Sequence, residues 1–131
     1  MIYVSSDIHG YPLDSFLRLL EKAGFGEDDF LYILGDVIDR NGDGGIAMLR
    51  WIMSRPNVQL LMGNHEAMML SCSFLFEEVT EETAEALTAE ELRLYARWQR
   101  NGCEPTVRSL KKLYESSPPF GRPLLHQIAS L

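Results

Sequence analysis

Three short apolar runs, each broken off by a polar cluster, constrain this chain more than any other feature. Ile2-Tyr3-Val4 stops at Ser5-Ser6-Asp7, Phe30-Leu31-Tyr32-Ile33-Leu34 stops at Gly35-Asp36, and Val58-Gln59-Leu60-Leu61-Met62 stops at Gly63-Asn64. Successive run ends lie about 29 residues apart, the size of a strand–helix–strand unit. Leu13, Phe16, Leu17 and Leu20 recur with the period of a helix, which Gly24 and Gly26 can close. Ile46, Leu49 and Met53 repeat that period before Pro56-Asn57 breaks it, and a third helix is predicted to start near His65. The order is therefore β-α-β-α-β, an α/β fold with a mostly parallel sheet, flanking helices and right-handed crossovers. The uninterrupted apolar run at residues 30–34 predicts a strand covered on both faces.

The length of 131 residues suits one domain, taken as residues 1–131, and 46% apolar residues suffice for a core. A net charge of −7 argues against general binding to nucleic acid, which needs a basic face. It leaves phosphorylated substrates open where metal ions supply positive charge locally. Cys72 and Cys103 show no C-x-x-C or other metal-type spacing. Two scattered thiols suit a reducing cytoplasm, the expected location. No basic region followed by an apolar stretch opens the chain, and no apolar run approaches the roughly 18 residues of a membrane span.

The second part of the chain reads as a helical segment. Residues 77–91 hold seven glutamates and no Lys or Arg, which suits a solvated face or loop, or a partner-docking or lid segment. Leu94 and Trp98 predict a helix to about Arg100, and Asn101-Gly102 is a turn signal. Pro105 fits the first turn of a further helix carrying Val107, Leu110 and Tyr114, which Ser117-Pro118-Pro119 ends.

Chemistry collects where the apolar runs end: Asp7-Ile8-His9-Gly10, Gly35-Asp36-Val37-Ile38-Asp39-Arg40 and Gly63-Asn64-His65-Glu66. In an open parallel sheet these carboxyl ends share one edge, where ligands bind. Asp7 and His9, two apart in an extended segment, would point the same way and offer a carboxylate and an imidazole to a divalent metal. Asp36 can bridge two metals with its two oxygens, and Asn64 can offer a carbonyl oxygen to the second. Two metals a few ångströms apart can activate a shared water and hold a phosphate across both. His65 can give a proton to the leaving oxygen, Asp39 can fix its tautomer, and Arg40 can grip phosphate oxygens. Taken singly each has an ordinary reading: Asp7 as a helix cap, Asp36 and Asp39 as loop carboxylates, Gly63-Asn64 as a turn, Arg40 as a surface ion-pair partner. No G-x-S-x-G occurs, so water rather than a side chain is the expected nucleophile.

D-x-H-G, G-D-x-x-D-R and G-N-H-E, in that order, resemble the first three motifs of the calcineurin-like phosphoesterases, with the bacterial serine/threonine phosphatase-like members nearest. The resemblance implies metal ligands at Asp7, His9, Asp36 and Asn64, a proton-donating His65 partnered by Asp39, and a phosphate-gripping Arg40. It also implies two divalent metal ions, Mn²⁺ first, with Fe or Zn²⁺ compatible with the same ligands. The implied reaction is hydrolysis of a phosphomonoester, with phosphoserine or phosphothreonine in proteins ahead of small phosphoesters. The alternative is hydrolysis of diadenosine tetraphosphate; those enzymes usually carry Asp where this chain has Glu66. Trp98-Gln99-Arg100-Asn101-Gly102 resembles a W-x-x-N-G-G segment of the bacterial members, with Asn101 a candidate substrate contact or a turn residue. Cys103 stands at the second glycine, which questions any conformation needing glycine there. Residues 41–45, Asn-Gly-Asp-Gly-Gly, depart from the usual R-G and imply a changed turn rather than a lost site.

The family domain is an αββα sandwich whose C-terminal half supplies a second sheet, two more histidine ligands and another arginine. The resemblance covers only the front of that domain, so the chain is expected to be the N-terminal part of one, with a missing half or with self-association through uncovered sheet. His126, in Leu124-Leu125-His126-Gln127-Ile128, lacks the pattern of those ligands and reads as a helix-surface residue. A chain with one metal's ligands and half of the second's also admits a non-catalytic metal- or partner-binding reading.

Overall fold

A computed structural model describes residues 1–76 and 88–116. The acidic stretch up to residue 87, the Ser117-Pro118-Pro119 end and His126 fall outside the described residues. Strands β1 (Ile2–Ser5), β2 (Phe30–Ile33) and β3 (Val58–Leu60) form a parallel sheet in that order. Ile2 pairs with Phe30 and Leu31 with Val58. Helix α1 (Leu13–Lys22) joins the first pair and α2 (Ile46–Met53) the second. Then come α3 (Asn64–Ser71), a short 3₁₀ turn (Ser73–Phe76), α4 (Ala89–Arg100) and α5 (Glu104–Ser116).

Strand order that advances one step at a time, with right-handed crossovers, puts both crossover helices over one face of the sheet. Leu31, Ile33, Val58 and Leu60 are buried on that face with Phe16 of α1 and Ile46, Leu49 and Ile52 of α2. The Phe16 and Trp51 rings meet edge to face, with centroids 6.1 Å apart, and tie the two helices together. The other face is uncovered among the described residues: Ile2, Val4, Tyr32, Leu34 and Leu61 are exposed there. The two-sided cover predicted for residues 30–34 is thus met on one side only. Alternate apolar positions of β2 lie open, with the Phe30 and Tyr32 rings 4.8 Å apart. No helix among the described residues is long and apolar enough to cross a membrane.

Helix α4 starts at a capping box. Thr88 Oγ1 accepts from the Glu91 N–H at 3.1 Å while Glu91 Oε1 accepts from the Thr88 N–H at 3.1 Å. Glu90 pairs with Arg93 at 2.7 Å, so the last two glutamates of the acidic stretch serve the helix start. Pro105 sits in the first turn of α5, where a missing N–H costs nothing. Trp98 of α4 and Val107 and Leu110 of α5 are buried in the core. They bring both late helices against the loops that follow the strands.

Candidate active site

The segment after β1 is not extended, as the D-x-H spacing predicted. Asp7 and His9 both have left-handed backbones, with φ of 53° and 40°. The chain instead follows the continuation of β2. The His9 N–H donates to the Asp36 carbonyl and the Gly10 N–H to the Val37 carbonyl, both at 2.9 Å. Ile8 is buried between them, and Asp7 and His9 still converge: His9 Nε2 lies 3.9 Å from Asp7 Oδ1. His9 Nδ1 lies 3.0 Å from the Ile38 carbonyl, which only accepts, so Nδ1 carries the proton and Nε2 keeps its lone pair. One donor atom each from Asp7, His9 and Asp36 lie within 4.8 Å of one another. Two carboxylates and a neutral imidazole fit a divalent transition metal, and the fixed His9 tautomer points the correct nitrogen at it.

Asp36 is positioned from three directions. Its Oδ1 accepts from the His65 N–H at 3.2 Å, in the first turn of α3. Its own N–H donates to Glu66 Oε1 at 2.6 Å. Glu66 also accepts from Val37 at 3.0 Å, Ile38 at 3.4 Å and Gly63 at 3.1 Å. These are N–H groups at the end of β2 and the start of α3 that no strand or helix ladder reaches. Glu66 is fully buried; that burial pushes its carboxyl above the usual range, and the Asp36, Gly63, Ile38 and Val37 N–H groups pull it back. Gly63 is required by this packing, since a Cβ there would lie 2.5 Å from Asp36 N and 2.7 Å from Asp36 Oδ1.

His65 is 6% exposed, and its Nδ1 lies 2.6 Å from Asp39 Oδ2. A carboxylate accepts there, so Nδ1 donates and Nε2 is left to face a ligand. The His65 ring stands edge to face on His9, with centroids 4.6 Å apart, which sets it beside the donor cluster. Asp39 is fully buried with two further donors: Trp98 Nε1 reaches Oδ2 at 2.8 Å and Thr106 Oγ1 reaches Oδ1 at 2.6 Å. The Asp39 N–H lies 3.0 Å from Thr106 Oγ1 and 3.1 Å from the Gly44 carbonyl. Thr106 gave no signal in the sequence, and Trp98 drew notice only through the W-x-x-N-G resemblance and helical spacing. Trp98→Phe keeps a buried aromatic ring and removes the indole N–H donor. We expect a loss of about 1–2 kcal/mol in urea unfolding, since one charge-assisted bond in a buried network is lost while its acceptor keeps two others.

The remaining predicted residues sit at the rim. Asn64 is exposed, the first residue of α3, between Gly63 packed on Asp36 and His65 bonded to it. Arg40 is exposed and makes no ion pair among the described residues, while its N–H donates to the Gly102 carbonyl at 2.8 Å. Asn101 ends α4, with its Nδ2 donating to the Arg97 carbonyl at 2.8 Å. The glycine requirement falls on Gly102, at φ 90°, and not on Cys103, which has a negative φ. Burial raises the Cys72 thiol, and burial with the Asp39 charge pushes Cys103 up to about 11, so neither is a thiolate nucleophile at neutral pH.

Among the described residues the non-glycine positive φ values belong to Asp7, His9, Asp36, Asp39 and Arg40. Such conformations cost on the order of 1–3 kcal/mol each and persist where surrounding contacts impose them, commonly at functional sites. All five are candidate site residues of the sequence, and they share this backbone conformation.

A family profile described as calcineurin-like phosphoesterase matches residues 1–119. Relatives named "Bis(5'-nucleosyl)-tetraphosphatase, symmetrical" include one from Legionella pneumophila, 35% identical over 126 residues, covering 90% of this chain and 45% of its own length. One from Wigglesworthia glossinidia brevipalpis is 31% identical over 102 residues, 75% of this chain and 37% of its own. One from an Acidovorax species is 36% identical over 74 residues, 56% of this chain and 26% of its own. The chain thus spans less than half the length of these relatives.

Proposed function

Because the chain belongs to the calcineurin-like phosphoesterase family, we propose that its site hydrolyses a phosphoric anhydride, with a dinucleoside tetraphosphate as substrate class. The observation that carries the chemistry is the meeting of Asp7, His9 and Asp36 donors beside a histidine anchored on a buried carboxylate. The substrate class is supported by the names of the relatives, which favour this reading over a protein phosphatase. Glu66 stands where the dinucleotide hydrolases usually carry Asp, which favoured a protein phosphatase. Glu66 is buried among four backbone N–H groups and faces no substrate, so it does not set specificity.

Asp7, His9 and Asp36 would hold a divalent ion, proposed as Mn²⁺, with Asp36 and Asn64 reaching toward a second. Bound ions of this kind neutralise phosphate charge and make hydroxide available near neutral pH. The protein's own residues do the rest. Asp39 holds the His65 Nδ1 proton, so Nε2 is the atom that hands a proton to the leaving phosphate oxygen. Arg40 donates to phosphate oxygens from the rim. Water attacks phosphorus, the bond to the bridging oxygen breaks, and symmetrical cleavage leaves two nucleoside diphosphates.

The test is a product analysis with Mn²⁺, using diadenosine tetraphosphate and a phosphoserine peptide side by side. We expect ADP as the nucleotide product, at a rate exceeding phosphate release from the peptide. ATP plus AMP, a preference for the peptide, or turnover of neither would overturn the proposal.

A further inference from the structure

An open cleft of about 930 Å³ lies beside the site, lined by Arg40 and by residues of α4 and α5 that the mechanism does not use. Its size lies within the range of about 300–1,000 Å³ usual for small-ligand sites. Arg40, Arg108 and Lys111 supply three cations to it, against one carboxylate, Glu104. That balance runs against a chain whose net charge is −7. Arg108 and Lys111 are both exposed and three residues apart on α5, so they share a helix face. Glu104 lies 3.4 Å from Arg108, an exposed ion pair that holds the guanidinium only weakly. Tyr95 and Gln99 of α4 add a half-buried ring and an exposed amide.

Arg40 belongs to both places. It follows Asp39, the anchor of His65, and its backbone is fixed to the Gly102 carbonyl. An anion held by Arg40 at the reacting phosphate can therefore continue into the cleft. The contents of that cleft suit a nucleoside phosphate: cations for phosphate oxygens, a ring for stacking, an amide for a base edge. We propose that it receives the nucleoside diphosphate half of the substrate, its phosphates on Arg108 and Lys111 and its base toward Tyr95 and Gln99. This rests on the dinucleotide reading above, and makes Arg108 and Lys111 specificity-determining.

The test compares wild-type protein with the Arg108→Glu/Lys111→Glu double variant on diadenosine tetraphosphate and on p-nitrophenyl phosphate. Both positions are exposed, so the fold is expected to survive, and Arg108→Ala/Lys111→Ala serves if charge reversal perturbs it. The ratio of dinucleotide to p-nitrophenyl phosphate kcat/KM should fall at least about tenfold, through the dinucleotide KM rather than kcat. Arg55→Glu, an exposed charge reversal outside the cleft, should leave the ratio within about twofold. An active wild type whose ratio is unmoved in the double variant, or falls equally in Arg55→Glu, overturns the cleft assignment alone. A wild type that does not cleave the dinucleotide overturns the dinucleotide reading itself.

Discussion

His65→Asn is expected to keep its metal and lose turnover by roughly 10²–10⁴-fold, the scale of a general acid–base group. The reason lies in the ring's surroundings. Nδ1 is committed to Asp39 at 2.6 Å, and the ring stands on His9 without joining the Asp7, His9 and Asp36 donor cluster. Asparagine is smaller, so the His65 N–H that reaches Asp36 Oδ1 at 3.2 Å survives as a backbone group. The donor cluster thus keeps its scaffold while the leaving oxygen loses its proton source. Metal analysis of the purified variant, alongside kcat on the dinucleotide, checks this. Loss of metal together with turnover would assign His65 to the metal instead. The loss should also be smaller for a substrate whose leaving group needs no proton, which separates proton donation from a general disturbance.

The site was legible in sequence where chemistry and strand ends coincide. Asp7, His9, Asp36, Asn64 and His65 each follow an apolar run, and parallel topology then brings them to one edge. The means of convergence was not legible. Asp7 and His9 meet through left-handed backbones imposed by bonds to Asp36 and Val37, which residue spacing does not encode. Asp39 was read as a histidine partner, but Trp98 and Thr106 reach it across 59 and 67 residues. Contacts of that range depend on how α4 and α5 pack, and leave no local period to read. The apolar run at residues 30–34 gave a strand, which the sheet places between β1 and β3. Its second face, with Tyr32 and Leu34 exposed, has no cover among the described residues.

Glu66 carries the largest expected stability effect, and its role was not visible in the G-N-H-E motif. Glu66→Ala would leave the N–H groups of Asp36, Val37, Ile38 and Gly63 without their acceptor in a fully buried place. A buried donor left unpaired costs about 1–3 kcal/mol, and the 3.4 Å bond from Ile38 counts for least. Allowing for water entering the vacated space, the total is about 3–5 kcal/mol, a large share of the roughly 5–15 kcal/mol of a typical domain. Glu66→Gln should fall between, near about 2–3 kcal/mol, because its amide keeps one accepting oxygen and turns an NH₂ toward groups that also donate. Urea unfolding followed by tryptophan fluorescence measures both, and a loss below about 1 kcal/mol in Glu66→Ala would show that the four N–H groups find other partners. The same substitution frees the backbone that aims Asp36 at His9. Glu66→Ala should therefore weaken metal binding along with the fold, whereas His65→Asn spares metal binding, so the two variants separate the scaffold of the site from its acid.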